Sequence, residues 1–74
     1  LKEYTATSGG DAVKVTVTSD KIKTITIGEN VFKEGDAEML QDMIITAVND
    51  ALTQAKKDHD EQVQSLSKNF NIPG

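Results

Sequence analysis

Val13, Val15 and Val17 alternate with Lys14, Thr16 and Thr18, a two-residue period that predicts a strand with one apolar face. Upstream, Tyr4-Thr5-Ala6-Thr7 alternates more weakly and stops at Ser8-Gly9-Gly10-Asp11. Those residues reach positive φ at low cost, so the stretch reads as a hairpin turn. Ser19-Asp20 marks a second short turn. Residues 21–27 follow as a third strand, with Ile25 and Ile27 on one face and Ile22, Thr24 and Thr26 on the other. Short turns between successive strands imply an antiparallel meander of order 1-2-3.

The period changes after Gly35. Leu40, Met43, Ile44, Ala47, Val48, Ala51, Leu52 and Ala55 recur at helical spacing. Asp36 suits the N-cap and Glu38 the positive end of the helix dipole, although Met39 stands where a capping box wants Glu or Gln. Gly28-Glu29-Asn30 leaves the sheet, and Val31-Phe32 is expected to anchor the connection. A helix over 37–67 would be about 45 Å long, more than a three-stranded sheet can cover. Its first half is therefore expected to pack on the sheet, beneath which Val13, Val15 and Val17 need cover, while its second half projects. The polar run 56–62 offers a place for a break near Asp58. Residues 69–74, with Pro73, read as a flexible tail. The chain is one α+β domain over residues 1–74.

Asn49-Asp50 stands out inside this helix. Both side chains compete for backbone hydrogen bonds and normally sit at caps or turns, yet the apolar stripe runs straight through them. Their polar heads are expected to bond a strand end, a loop amide or a second subunit.

Seventy-four residues bury only about 60% of the surface that the unfolded chain exposes, so a domain this small needs help. The lack of Cys excludes disulfides and thiolate metal sites, and with one His a structural zinc site is not expected, which leaves oligomerisation and predicts a homodimer. Leu1-Lys2-Glu3 reads as the end of a helix begun upstream. No run approaches the roughly 20 apolar residues of a membrane span, and no window resembles a signal peptide. A cytoplasmic protein fits the lack of Cys. The eight basic residues are all Lys and stand against twelve carboxylates, for a net charge of −4. The absence of Arg argues against base-specific DNA readout, and the acidic balance argues against a uniformly basic surface.

Asp58-His59-Asp60-Glu61 gathers four potential ligands, but consecutive residues fan around a helix instead of converging, so the run reads as a solvated face. Gly9-Gly10 lies between strands, without the loop-to-helix context of a phosphate cradle. No nucleophile, metal cluster or cofactor motif remains, so neither an enzyme nor a small-molecule site is expected. Lys56 and Lys57, at the first turn beyond the packed helix, are the best binding candidates. With Lys2 and Lys68 they could meet phosphates on projecting elements. Paired with Asp60 or Glu61 they would serve only solubility.

In order and spacing, Gly9-Gly10 with Val13-Lys14-Val15-Thr16-Val17, Ile25-Thr26-Ile27, Glu38-Met39-Leu40-Gln41-Asp42-Met43-Ile44, Ala47-Val48-Asn49-Asp50-Ala51 and Asn71-Ile72-Pro73-Gly74 form a set. In these features the chain resembles the YbaB/EbfC family of bacterial nucleoid-associated proteins. The resemblance implies a two-layer α-β-β-β-α unit whose N-terminal helix is largely absent from this chain. It also implies a tight homodimer with projecting helical arms that binds duplex DNA with little sequence preference and influences nucleoid organisation and gene expression. Lys56 and Lys57 are the positions to carry over as DNA contacts. Gly9, Gly10, Asn49, Asp50 and Ala51 serve as family markers. The alternative is a protein-interaction module whose arms present Val63, Leu66 and Phe70 to a protein partner.

Overall fold

A computed structural model describes residues 2–70, with side chains through Gln64. Three strands, β1 (Tyr4–Ser8), β2 (Val13–Val17) and β3 (Ile22–Ile27), form an antiparallel sheet in the order β1-β2-β3. A short helix, α1 (Glu29–Glu34), leads to the long α2 (Ala37–Phe70). The expected meander and long C-terminal helix are both present.

The β1–β2 hairpin closes through Gly9, Gly10 and Asp11, all at positive φ. Gly9 is restricted twice over. At φ 61° a side chain is strained, and a Cβ would lie 2.8 Å from Met43 Cε. The hairpin tip therefore rests directly on α2, where Ser8 Oγ also donates to the Met43 carbonyl at 2.7 Å.

Asp36 caps α2 as its sequence predicts, its Oδ1 accepting from the Met39 N–H at 3.0 Å. The helix then runs for 34 residues without the break considered near Asp58, and it passes the expected end at residue 67 to reach Phe70. At 1.5 Å per residue it is about 51 Å long, against roughly 17 Å for a five-residue strand. Ala47, Ala51 and Ala55 are buried against Val13, Val15, Val17 and Ala6, with Leu40, Met43, Ile44 and Val48 packed around them. Small alanines let the helix axis approach the sheet closely. Beyond Ala55 the helix leaves the sheet as an arm.

Three details differ from the sequence reading. A register shift between Thr16 and Val17 pairs Val17 with Ile22, so Ile22 joins the row of Val17 instead of following Thr24 and Thr26. Thr18, expected on a polar face, is buried because its hydroxyl donates to Asp20 Oδ1 at 2.8 Å and closes the β2–β3 turn. Residues 29–34 form a helix, closed by Gly35 at φ 71°, and Phe32 is 71% exposed instead of anchoring the connection. The tail over 71–74 lies outside the described residues.

The core has an inverted order of sizes. Among the described residues its largest fully buried side chains are valines, while Ile22 (47%), Ile25 (43%), Ile45 (55%) and Leu52 (43%) are exposed. The cause is the placement of α2, which lies over β1 and β2 and leaves β3 without a single buried residue. Helix geometry puts the exposed aliphatics together. Met43 and Gln54 lean toward β1, where Gln54 Nε2 donates to the Thr5 carbonyl at 3.1 Å. Leu52 and His59, seven residues apart, lean the other way and meet Ser19 of the β2–β3 turn around one open groove. Ile45, seven residues before Leu52, shares that side. Ile25 and Ile27 pair with Val15 and Val13, and so stand on the helix-facing side of β3. By register and helix phase, Ile25, Ile27, Ile45 and Leu52 thus face the trough left open between α2 and β3.

Candidate nucleic-acid interface

The arm is tied to the sheet at one carboxylate. Tyr4, at the start of β1, donates its hydroxyl to Asp58 Oδ2 at 2.5 Å. Lys2 Nζ reaches the same oxygen at 2.9 Å, and Gln62 Nε2, one turn further along, lies 3.4 Å from it. Beside this clasp, Lys23 pairs with Glu3 across the sheet. Sequence reasoning missed the Tyr4–Asp58 contact, whose partners are 54 residues apart. The one available signal was a lone tyrosine at a strand end, since a buried ring commonly brings its hydroxyl to a partner.

The clasp shifts the acidity of each member. Donation by Tyr4, with Lys2 beside it, holds the Asp58 carboxyl below its ordinary value. The hydrogen bond to Asp58, aided by desolvation, raises the Tyr4 hydroxyl, and the same carboxylate raises Lys2. A depressed carboxyl contributes stability above its unfolded pKa and loses it as pH falls through the folded value. A raised tyrosine contributes below its unfolded pKa and loses it as pH climbs through the folded value. The clasp is therefore constant across neutral pH. Because Tyr4 is the only tyrosine, its ionisation can be followed by near-ultraviolet absorbance. The midpoint should lie above 10.0 and return toward it in Asp58→Ala. A midpoint unaffected by that substitution would show that the contact is not made in solution.

Lys56 and Lys57 sit on the turn immediately before Asp58, and both are exposed. Among the described residues, neither forms an ion pair, although Asp60 and Glu61 stand one turn away. Lys2 is brought to the same turn of the arm, but as the partner of Asp58. The Lys68 side chain lies outside the described residues, as do those of Leu66 and Phe70. Asp58, His59, Asp60 and Glu61 fan around the helix, and the described residues contain no group of three potential metal ligands. Asn49 and Asp50 are exposed, and neither side chain bonds the described residues, while Ala51 beside them is fully buried. The expected tie from this pair to a strand end or loop amide is not made.

The two ends of the molecule differ in charge character. Near the start of α2, an open cleft is bordered by Asp36, Glu38 and Asp42, which repel a phosphate. Lys2, Lys56 and Lys57 lie instead where α2 leaves the sheet, in company with Asp58, Asp60 and Glu61.

The family model for the YbaB/EbfC DNA-binding family matches residues 1–70. The chain belongs to that family. It is 45% identical over 74 residues to a nucleoid-associated protein of Clostridium acetobutylicum, covering 99% of this chain and 66% of the relative. It is 44% identical over 73 residues to one of Finegoldia magna, covering 97% of this chain and 65% of the relative. A nucleoid-associated protein of Clostridium botulinum is 42% identical over 74 residues, covering 99% and 66%. The chain thus spans just under two thirds of the length of these relatives. The matched family is described as DNA-binding, and each of these relatives is named a nucleoid-associated protein. The residues that carry the resemblance in the sequence have distinct places in the fold. Gly9 and Gly10 shape the hairpin tip, and Ala51 lies at the helix–sheet contact.

Proposed function

We propose that this chain acts at the nucleoid, in the cytoplasm, as a homodimer that binds duplex DNA through lysine–phosphate contacts from its helical arms. The reading rests on family membership together with one observation: Lys56 and Lys57 are exposed on the projecting turn of α2 without carboxylate partners among the described residues. Phosphate contacts position a protein on DNA without reading sequence, and the chain has no Arg for bidentate guanine recognition. Binding is accordingly weakly dependent on sequence and contributes to nucleoid organisation and gene expression.

The dimer reading is supported by the inverted core. Ile22, Ile25, Ile45 and Leu52 flank one trough, and a two-fold axis lets each chain lay its aliphatics into the trough of the other. The second copy is the favoured occupant because, among the described residues, the fully buried side chains stop at valine, a small core for a domain of this size. Such a dimer carries two arms and doubles the number of lysines facing one duplex.

The test is duplex binding by the protein on several unrelated sequences at stepped salt. The expected result is similar affinity for all of them, with log K falling linearly in log salt by about 0.9 per phosphate neutralised. Absence of binding at low salt would refute the reading. A protein partner retained through nuclease treatment and high salt, with no duplex bound, would replace it with the protein-interaction alternative.

A further inference from the structure

The turn of α2 that carries Lys56 and Lys57 also carries Asp58, Asp60 and Glu61. Asp60 and Glu61 share the face of Lys56 and Lys57, whereas Asp58 turns toward the sheet and meets Lys2, brought in from the other end of the chain. Lys2 is nonetheless committed to Asp58 at 2.9 Å, although its side chain is 64% exposed. The helix alone fixes the direction of Lys56 and Lys57, so the ion pair is not needed to aim them. Its effect is on Lys2.

We infer that Asp58 acts as a built-in competitor for phosphate, holding Lys2 out of the DNA-binding surface and limiting the affinity of the arm. This rests on the DNA-binding reading above and names a residue that regulates that same surface. Tyr4 keeps the carboxylate in place through its hydroxyl, so Asp58 stays at the lysine turn whether or not Lys2 is bound to it. An exposed ion pair is worth little in water, which means a phosphate can displace Asp58 but gains less from Lys2 than from a free lysine. Asp58 remains ionised throughout neutral pH. The competition is therefore relieved by polyanion and by salt, not by protonation.

The experiment compares the full chain with Asp58→Asn, Asp60→Asn and the double variant Asp58→Asn/Lys2→Gln on a short mixed-sequence duplex at stepped salt. Asp58→Asn retains an oxygen that can accept from Tyr4, so far-ultraviolet dichroism should match the parent and melting should fall only slightly. It should bind about 3–10-fold more tightly at low salt, with a salt slope steeper by about 0.9 for each arm that gains a phosphate contact. Asp60→Asn removes the same charge two residues away without releasing Lys2, so it should give a smaller gain and leave the slope unchanged. Adding Lys2→Gln should abolish the extra gain and the extra slope. Equal effects of Asp58→Asn and Asp60→Asn, or a gain that survives Lys2→Gln, would overturn the inference while leaving DNA binding intact. Weaker binding by a normally folded Asp58→Asn would overturn it too. If the parent chain binds no duplex, the underlying reading fails and this inference fails with it.

Discussion

Ile25→Lys should turn the protein from a dimer into a folded monomer, with the mass measured by sedimentation at micromolar concentration. Ile25 stands on the helix-facing side of β3, paired with Val15, and it remains 43% exposed within one chain. In the single chain a lysine can lay its methylenes along the trough and keep its ammonium in water, so folding survives. In the proposed dimer a two-fold axis repeats the substitution, and two unpaired charges are buried in one interface. At about 2 kcal/mol for each desolvated charge, the dissociation constant rises roughly 1,000-fold. Thr24→Lys, on the opposite face of the same strand, is the control and should leave the mass of a dimer. If Thr24→Lys dissociates the protein and Ile25→Lys does not, the interface lies on the threonine face. A parent chain that is itself monomeric would refute the dimer.

The double reversal Lys56→Glu/Lys57→Glu should reduce duplex affinity at low salt by at least about 100-fold, equally on every sequence tried. Each substitution converts attraction into repulsion, and a dimer carries four of them. The apparent number of phosphates neutralised should also fall, flattening the salt dependence. Both residues are exposed, so the cost to folding is confined to new like-charge contacts with Asp60 and Glu61, a few tenths of a kcal/mol for each pair. Melting should therefore change little. Unchanged affinity with unchanged melting would clear these lysines of a role and move the DNA contact elsewhere on the molecule.

Much of the architecture was legible because it depends on local periodicity. The Val13-Val15-Val17 alternation fixes which face of β2 is buried, and Asp36 marks the start of α2 whatever surrounds it. Gly9-Gly10-Asp11 marks a turn because few other residues accept those φ values. Alternation counted back from Ile25 puts Ile22 on the wrong face, because a register shift at Thr16/Val17 is a property of two strands together. Residues 29–34 are too few for a helical period to emerge, so α1 was not foreseen. Thr18 was assigned to a polar face by alternation alone, whereas its hydroxyl is satisfied by Asp20 two residues on.

The candidate site divides in the same way. Lys56 and Lys57 were identified in the sequence because the apolar stripe thins after Ala55 and exposes the next turn. Their neighbour Asp58 was read only as part of a charge run. Nothing local links it to Tyr4 and Lys2.

The strands, the helix, its capped start, the projecting arm and the family all follow from the spacing or order of residues along the chain. That α2 covers two strands and leaves β3 open, with isoleucines outside and alanines inside, emerges only when the elements pack. Packing alone brings Lys2 and Tyr4 to Asp58. Those outcomes depend on the lateral position of a helix over a sheet and on contacts between residues more than 50 positions apart. Periodicity specifies which face of an element is apolar, but not which neighbour that face will meet.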